Sequence, residues 1–214
     1  MINLQDEVKQ YLMERYGKET FGLPFKREFD KLKVDCKKKL KEFYVSSKGY
    51  LEANSVHRIS PEIEHFRSLP LGSNILDFGG GAGTYTLHLL EDSVYNIFYY
   101  DISEIQTDFM RYIKSKYYYN NLVILKDMNI SEKFNGLILA DVIEHLPDYG
   151  SVLKKLFKRL NYGGMVFAKP EFENHRTTGM QIHFHDMHDF PKFMKDQGFV
   201  RYKDTKYVWV KRGR

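Results

Sequence analysis

Four glycines crowd one turn of the stretch ILDFGGGAGTYTLHL, residues 75–89. Apolar residues precede the glycines, and apolar residues at helical spacing follow them, so the pattern predicts a strand, a tight turn and a helix. Glycine tolerates positive φ and has no side chain, which lets a ligand approach the backbone. The N–H groups that begin the next helix point to the same place. Residues 79–84 are therefore predicted to form the floor of a nucleotide-like site.

The spacing of these glycines distinguishes between kinds of nucleotide site. The dinucleotide fingerprint G-x-G-x-x-G would need a glycine where Thr84 stands. The pattern D-x-G-x-G-x-G does match, as Asp77, Gly79, Gly81 and Gly83. This pattern resembles motif I of the class I methyltransferases that use S-adenosylmethionine (SAM), and the resemblance implies that these four residues bind SAM. The alternative is a glycine-rich turn without a ligand.

A carboxylate follows the next predicted strand. Residues 94–100, VYNIFYY, are rich in strand-forming residues and lead into Asp101 and Ile102. In doubly wound sheets a carboxylate here, about 20 residues beyond the glycine turn, binds the ribose hydroxyls. We predict that Asp101 binds the ribose and that Ile102 covers the adenine. The alternative is that Asp101 only begins a turn, with Ser103 capping the next helix.

The third predicted strand, LVILK at 122–126, ends at Asp127 and Met128. The resemblance implies that an acidic or amide side chain after this strand contacts the adenine amino group, with a neighbouring backbone N–H on a ring nitrogen. Asp127 and Met128 are therefore the predicted adenine contacts. An ordinary turn at the end of the strand is the alternative.

The fourth predicted strand, 136–140, runs into the string DVIEHL, which resembles the family's motif after strand 4. Ligands of such sheets bind at the carboxyl ends of the strands, beside the point where strand order reverses. We predict that Asp141 and Glu144 complement the positive charge or the amino group of the cofactor, and that His145 faces the acceptor. The structural alternatives are a turn at Asp141 and helix caps at Glu144 and His145.

Histidines cluster late in the chain, where four of the eight fall within residues 175–188. Histidine is the usual base for a hydroxyl proton. We predict His185 as this base, ahead of His183 and His145, because H-x-H before a helix recurs in the small O-methyltransferases that this chain resembles. The alternative for one of the pair is a hydrogen bond that holds the loop in place.

A divalent metal is an alternative to a metal-free site. Asp141, Glu144 and His145, with a later histidine, resemble the metal site of ubiquinone-pathway O-methyltransferases and of small-RNA 3′-end 2′-O-methyltransferases. Mg²⁺ or Mn²⁺ there would lower the pKa of the acceptor. Asp141 is one methylene shorter than the usual glutamate, however, and IEHL also occurs in metal-free members. The prediction we adopt has no metal ligands.

The alternation of strand and helix from residue 74 predicts an α/β fold. The resemblance implies a Rossmann-like, doubly wound, seven-stranded sheet in the order 3-2-1-4-5-7-6 with the last strand antiparallel, and a SAM-binding core at 73–214. The predicted strands are 74–78, 94–100, 122–126, 136–140, 165–170, 199–201 and 205–210, with helices at about 83–91, 104–116 and 148–160 and a turn at 161–164.

Residues 1–72 are predicted to form an N-terminal helical addition, and the resemblance implies that this addition covers the cofactor cleft and shapes the acceptor pocket. Its second helical stripe carries an excess of lysine between Lys26 and Lys41, which is either a solvated face or a patch for nucleic-acid phosphates. The aromatic residues of that stripe lie on its apolar side, which favours the solvated face. Ser60 and Pro61 are predicted to begin a later helix. Candidate wall residues are Phe21, Phe25, Tyr44, Tyr50 and His57.

Composition excludes several kinds of structure for this protein. The chain has 214 residues, a net charge of +5 and one cysteine, Cys36, which excludes an internal disulfide and a multi-cysteine zinc cluster. No apolar run approaches the roughly 20 residues of a membrane span, and the N-terminus is too polar for a signal peptide. We therefore expect a cytoplasmic protein without membrane contact.

Three functions stay open. The first, which we favour, is a SAM-dependent methyltransferase that acts on a small molecule. We expect the acceptor atom to be oxygen rather than nitrogen or carbon. The second is a nucleic-acid methyltransferase that uses the basic N-terminal helix. The third is a SAM-binding protein with other chemistry, such as a cyclase or lyase. Fold alone does not separate them, because function resides in the site.

Overall fold

The computed structural model of the protein describes residues 2–18, 48–92, 94–170 and 187–213. Seven strands form one sheet in the order β3-β2-β1-β4-β5-β7-β6. β7 is antiparallel to both of its neighbours, which confirms the predicted order and the antiparallel last strand. The strands are β1 Asn74–Phe78, β2 Asn96–Tyr100, β3 Leu122–Ile124, β4 Phe134–Ala140, β5 Leu160–Lys169, β6 Phe199–Arg201 and β7 Val208–Lys211.

Six α-helices and three 3₁₀ helices accompany the sheet in the described ranges. The α-helices are α1 Leu4–Tyr16, α2 Lys48–Asn54, α3 Thr84–Leu90, α4 Glu104–Tyr117, α5 Tyr149–Arg159 and α6 Phe190–Asp196. The 3₁₀ helices are Pro61–Ser68, Ile143–His145 and Met187–Asp189. None of the described helices has the length and apolar composition needed to span a membrane.

Alternating residues of each strand pack on opposite faces of the sheet, as the pleat requires. Ile75 and Ile97 belong to the core of the first face, which α1, α2, α3, α4 and the 3₁₀ helix Pro61–Ser68 cover. Leu76 and Phe98 belong to the core of the second face, which α5 and α6 cover. The carboxyl ends of β1, β2 and β4 meet at one edge between these two cores.

The described parts of the N-terminal segment share the first-face core. Glu7 of α1 accepts hydrogen bonds from Lys116 Nζ at 2.7 Å and Tyr117 Oη at 2.6 Å, which links α1 to α4. The hydrogen bond to Glu7 raises the pKa of Lys116. The division of the chain at residue 72 stays a prediction. The basic stretch 26–41 and the wall candidates Phe21, Phe25 and Tyr44 lie outside the described residues.

Two local predictions need correction. Ser60 precedes the helix that begins at Pro61, as expected, but the helix is 3₁₀ and the Ser60 side chain makes no capping hydrogen bond. The predicted turn 161–164 lies inside β5, where the pairing jumps from Phe134 with Leu160 to Gly136 with Met165. Residues 161–164 therefore form a large bulge within the strand rather than a separate turn.

A substitution at Gly136 of β4 would test how tightly the 3₁₀ helix Pro61–Ser68 packs on the sheet. A Cβ added at Gly136 would lie 2.7 Å from Phe66 Cε1 and 3.0 Å from Ile75 Cγ1. We expect Gly136→Ala to lower the free energy of unfolding by about 1–3 kcal/mol through overpacking, measured by denaturant titration. Gly150→Ala is the control, because its nearest neighbours lie at 3.8 Å. An unchanged midpoint for Gly136→Ala would contradict this packing.

Candidate active site

The glycine turn after β1 is closely packed by the protein itself. Gly79 and Gly83 have φ of +72° and +81°, a region that L side chains rarely adopt. A Cβ at Gly79 would lie 2.5 Å from Val142 Cγ2, and a Cβ at Gly83 would overlap the side chain of Met110. Glycine is thus required here by backbone conformation and by neighbouring side chains, in addition to any ligand.

Asp101 connects the turn to the start of α4. Its Oδ2 accepts a hydrogen bond from the Gly81 N–H at 2.9 Å, and its Oδ1 accepts one from the Ser103 N–H at 2.8 Å. Burial raises the pKa of Asp101, although the residue keeps part of its surface exposed. Ser103 Oγ accepts from the Gln106 N–H, so the predicted cap exists. Asp101 therefore holds the turn and the start of α4, which is the alternative that the sequence left open. Its binding to ribose stays a prediction.

Asp77 supports the turn from beneath. Only 2% of Asp77 is exposed, and its Oδ2 accepts a hydrogen bond from Thr86 Oγ1 at 2.7 Å. Burial raises the pKa of Asp77 to about 6. Tyr99 Oη donates to the Gly81 carbonyl oxygen at 2.5 Å from the same side. These buried hydrogen bonds hold the turn in one orientation.

Helix α2 lies over the glycine turn. A Cβ at Gly81 would lie 3.0 Å from Asn54 Nδ2, and Asn54 is hydrogen-bonded to Tyr50 one helical turn earlier. The pKa of Tyr50 is raised first by burial and then by the negative charges of Asp101, Glu144 and Asp141. Three carboxylates therefore lie near enough to the Tyr50 hydroxyl to disfavour its ionisation.

The carboxyl end of β4 brings together a second group of side chains. Asp141 has φ of +50°, which is uncommon for a residue other than glycine. Its Oδ2 lies 3.3 Å from Lys169 Nζ and 3.6 Å from His57 Nδ1. Glu144 is fully buried, and His145 is partly exposed in the 3₁₀ turn that follows. Strained backbone that holds charged side chains at this edge is a common property of functional sites.

Asp127 and Met128 lie in an ordinary turn after β3. The exposed Asp127 accepts a hydrogen bond from the Asn129 N–H at 2.8 Å, which is the alternative that the sequence left open. Met128 packs against the core of the second face. Their adenine contacts stay predictions. Ile102, beside Asp101, is 47% exposed and presents an apolar surface next to that carboxylate.

Some of the predicted catalytic residues lie outside the described residues. His183 and His185 lie outside them, as does His175. Within 2–18, 48–92, 94–170 and 187–213, no three histidine, cysteine, aspartate or glutamate side chains form a group that could hold a metal.

Sequence reasoning missed two residues of the site. Lys169 could have been suspected from its position at the carboxyl end of β5. Asn54 had no signal, because only tertiary packing brings α2 onto the glycine turn.

Comparisons with known proteins agree with this fold. The family model described as "Methyltransferase domain" matches residues 50–201. Coclaurine N-methyltransferase, solved with N-methylheliamine and S-adenosylhomocysteine, is 14% identical with a TM-score of 0.60, over 92% of this chain and 72% of its own. No curated protein has a significant match to the sequence.

Two further solved structures share the fold. The CurJ carbon methyltransferase is 14% identical with a TM-score of 0.57, over 96% of this chain and 70% of its own. The cyclase SpnF is 14% identical with a TM-score of 0.53, over 64% of this chain and 54% of its own. At this identity the likeness establishes the fold and leaves the reaction open.

The burial of Asp77 predicts a pH dependence. Its pKa of about 6 exceeds the value of about 3.9 for an exposed aspartate, so the folded protein binds this proton more tightly than the unfolded chain does. The free energy of unfolding of the wild type should therefore fall, by up to about 3 kcal/mol from this group, as pH rises from about 4 to about 6.

The variant Asp77→Asn lacks this proton equilibrium, while its amide oxygen can still accept the Thr86 hydrogen bond. Relative to the wild type it should gain stability through that pH interval, as measured by denaturant titration at several pH values. A difference between the two proteins that stays constant from pH 4 to pH 7 would contradict the raised pKa.

Proposed function

The chain belongs to the methyltransferase-domain family, and we propose that it moves a methyl group from SAM to an oxygen atom of a small-molecule acceptor. The observation that carries the cofactor assignment is the position of Asp101. Its carboxylate is partly exposed at the end of β2 and held by the N–H groups of Gly81 and Ser103. A carboxylate held at this point of a doubly wound sheet accepts hydrogen bonds from ribose hydroxyls.

The residues around the turn fit a cationic adenosyl ligand. Asp101 would hold the ribose, Ile102 would cover the adenine, and Asp141 would lie on the sulfonium side. The other cofactor candidates are Asp77, Gly79, Gly81, Gly83, Asp127 and Met128. Bound SAM supplies a methyl group that its sulfonium already activates.

The chain's own residues have three tasks towards the acceptor: to orient it, to exclude water and to take its proton. His185 remains our first candidate for the base, with His183 and His145. We add His57, because the Asp141 carboxylate 3.6 Å from its Nδ1 would orient the imidazole. The proposal needs no metal.

Calorimetric titration with S-adenosylhomocysteine tests the cofactor assignment. We expect the wild type to bind it, and Asp101→Ala to weaken binding by about tenfold or more through loss of charge-assisted hydrogen bonds to the ribose. Asp108→Ala is the matched control, because Asp108 is an exposed carboxylate of α4 that pairs with Arg111.

Because Asp101 also holds the turn, the ribose contact needs its own test. A 2′-deoxyribose analogue should bind the wild type more weakly than the parent ligand, and Asp101→Ala should lose this preference. Equal affinities of the wild type and Asp101→Ala for the parent ligand would refute the assignment. No binding to the wild type would overturn the proposed function.

Turnover measurements with a screened hydroxyl acceptor test the base. His185→Ala should lower kcat by about 10²- to 10⁴-fold and leave the affinity for S-adenosylhomocysteine nearly unchanged. His57→Ala and His145→Ala, assayed in parallel, identify the base if His185→Ala keeps its rate. Cofactor binding without any methylated product would favour a SAM-binding protein of other chemistry.

A further inference from the structure

On the second face of the sheet, the crossover from β3 to β4 supplies no helix beside β3. Residues 125–133, which join β3 to β4, contain no helix, although such crossovers between parallel strands are usually helical. Val123 of β3 is 38% exposed, while its strand partner Phe98 is buried in the second-face core. The missing helix therefore leaves part of this face open.

A groove of about 610 Å³ lies on this face, between α5 and the segment 128–133. Phe78, Tyr100, Val152 and Leu156 contribute to its apolar floor. The rings of Phe78 and Tyr100 stack with centroids 5.4 Å apart and planes inclined by 23°. The volume lies in the range of small-molecule sites, roughly 300–1,000 Å³.

Four cations line the same groove: Lys133, Lys155, Lys158 and Arg159. Lys133 Nζ donates to the Lys158 carbonyl oxygen at 2.8 Å, and Arg159 Nη1 donates to the Ser131 carbonyl oxygen at 3.1 Å. Backbone carbonyls thus position two of the cations without neutralising them. Across the part of the chain that the structure describes, none of the four forms an ion pair with a carboxylate. An anion would therefore find partly uncompensated positive charge here.

The charges and the apolar floor are arranged along α5. Val152 belongs to the floor and Arg159 to the charged end, and these two residues are seven positions apart, which corresponds to about 10 Å of helix. A ligand that satisfies both ends needs an apolar body of about this length and one anionic head. We propose that the groove binds a medium-chain fatty carboxylate, with its chain on Phe78 and Tyr100 and its head among Lys155, Lys158 and Arg159.

The groove and the proposed cofactor site have one candidate residue in common, Met128, and otherwise lie on different faces of the sheet. Phe78 and Tyr100 belong to the second-face core, whereas Tyr99 and Tyr85 beside the glycine turn belong to the first-face core. The inference does not rest on methyl transfer. A protein that failed to bind S-adenosylhomocysteine would still be expected to bind the carboxylate.

Calorimetric titration of the full chain with decanoate tests the proposal. We expect saturable binding to the wild type and at least tenfold weaker binding to the double variant Lys155→Glu/Lys158→Glu. The double variant Lys154→Glu/Lys192→Glu is the matched control, because its net charge changes equally at exposed lysines of α5 and α6 that do not line the groove. It should bind like the wild type.

Two further probes separate the two halves of the ligand. Acetate, which has the head without the chain, and decyltrimethylammonium, which has the chain with the opposite charge, should give no saturable binding.

Saturating S-adenosylhomocysteine should leave the decanoate affinity unchanged. The single variant Lys155→Ala removes one exposed cation and should weaken decanoate binding severalfold. It tests the same contact if the double variant does not fold.

Three results would overturn the proposal. They are the absence of saturable decanoate binding to the wild type, equal affinities of the two double variants, and displacement of decanoate by S-adenosylhomocysteine. The last result would make the groove part of the cofactor site.

Discussion

The candidate site depends on close packing around one turn of bare backbone. Side chains from four elements reach the positions that Cβ atoms would take: Val142 after β4, Tyr99 of β2, Asn54 of α2 and Met110 of α4. Because packed interiors deform little, a side chain added in the turn must displace one of these neighbouring side chains. The turn therefore sets the relative positions of the strand ends that carry Asp101 and Asp141, and of the helix that carries Tyr50.

Polar groups beneath the turn complete this arrangement. Thr86 satisfies one oxygen of Asp77, Tyr99 satisfies the Gly81 carbonyl, and Asp101 receives the Gly81 N–H. Each hydrogen bond is at least partly buried, so breaking any one would leave a desolvated polar group at a cost of about 1–3 kcal/mol. The site is thus organised before a ligand arrives, which reduces the entropy that binding must remove.

The sequence predicted most strands because strand and helix periodicity are local properties, whereas the order of the strands was predicted from the family resemblance. β1 has the predicted bounds, and the turns at the ends of β1, β2 and β4 carry the expected residues. The bulge in β5 was missed because its pairing with β4 depends on register, which no local pattern records. The approach of His57 and Lys169 to Asp141 was missed for a similar reason, since contacts between distant segments arise only in the folded chain.

The link between α1 and α4 has a consequence for synthesis. Glu7 and Lys116 are 109 residues apart in the chain, yet they form one ion pair. At roughly 5–20 residues per second, a ribosome needs about 5–20 s to produce the partner of α1 after α1 itself. During that time Tyr11 and Leu12, which are buried in the folded protein, have no sheet to cover them. Exposed apolar surface of this kind attracts chaperones and promotes aggregation, so the nascent N-terminal helix needs protection until α4 and the sheet have been made.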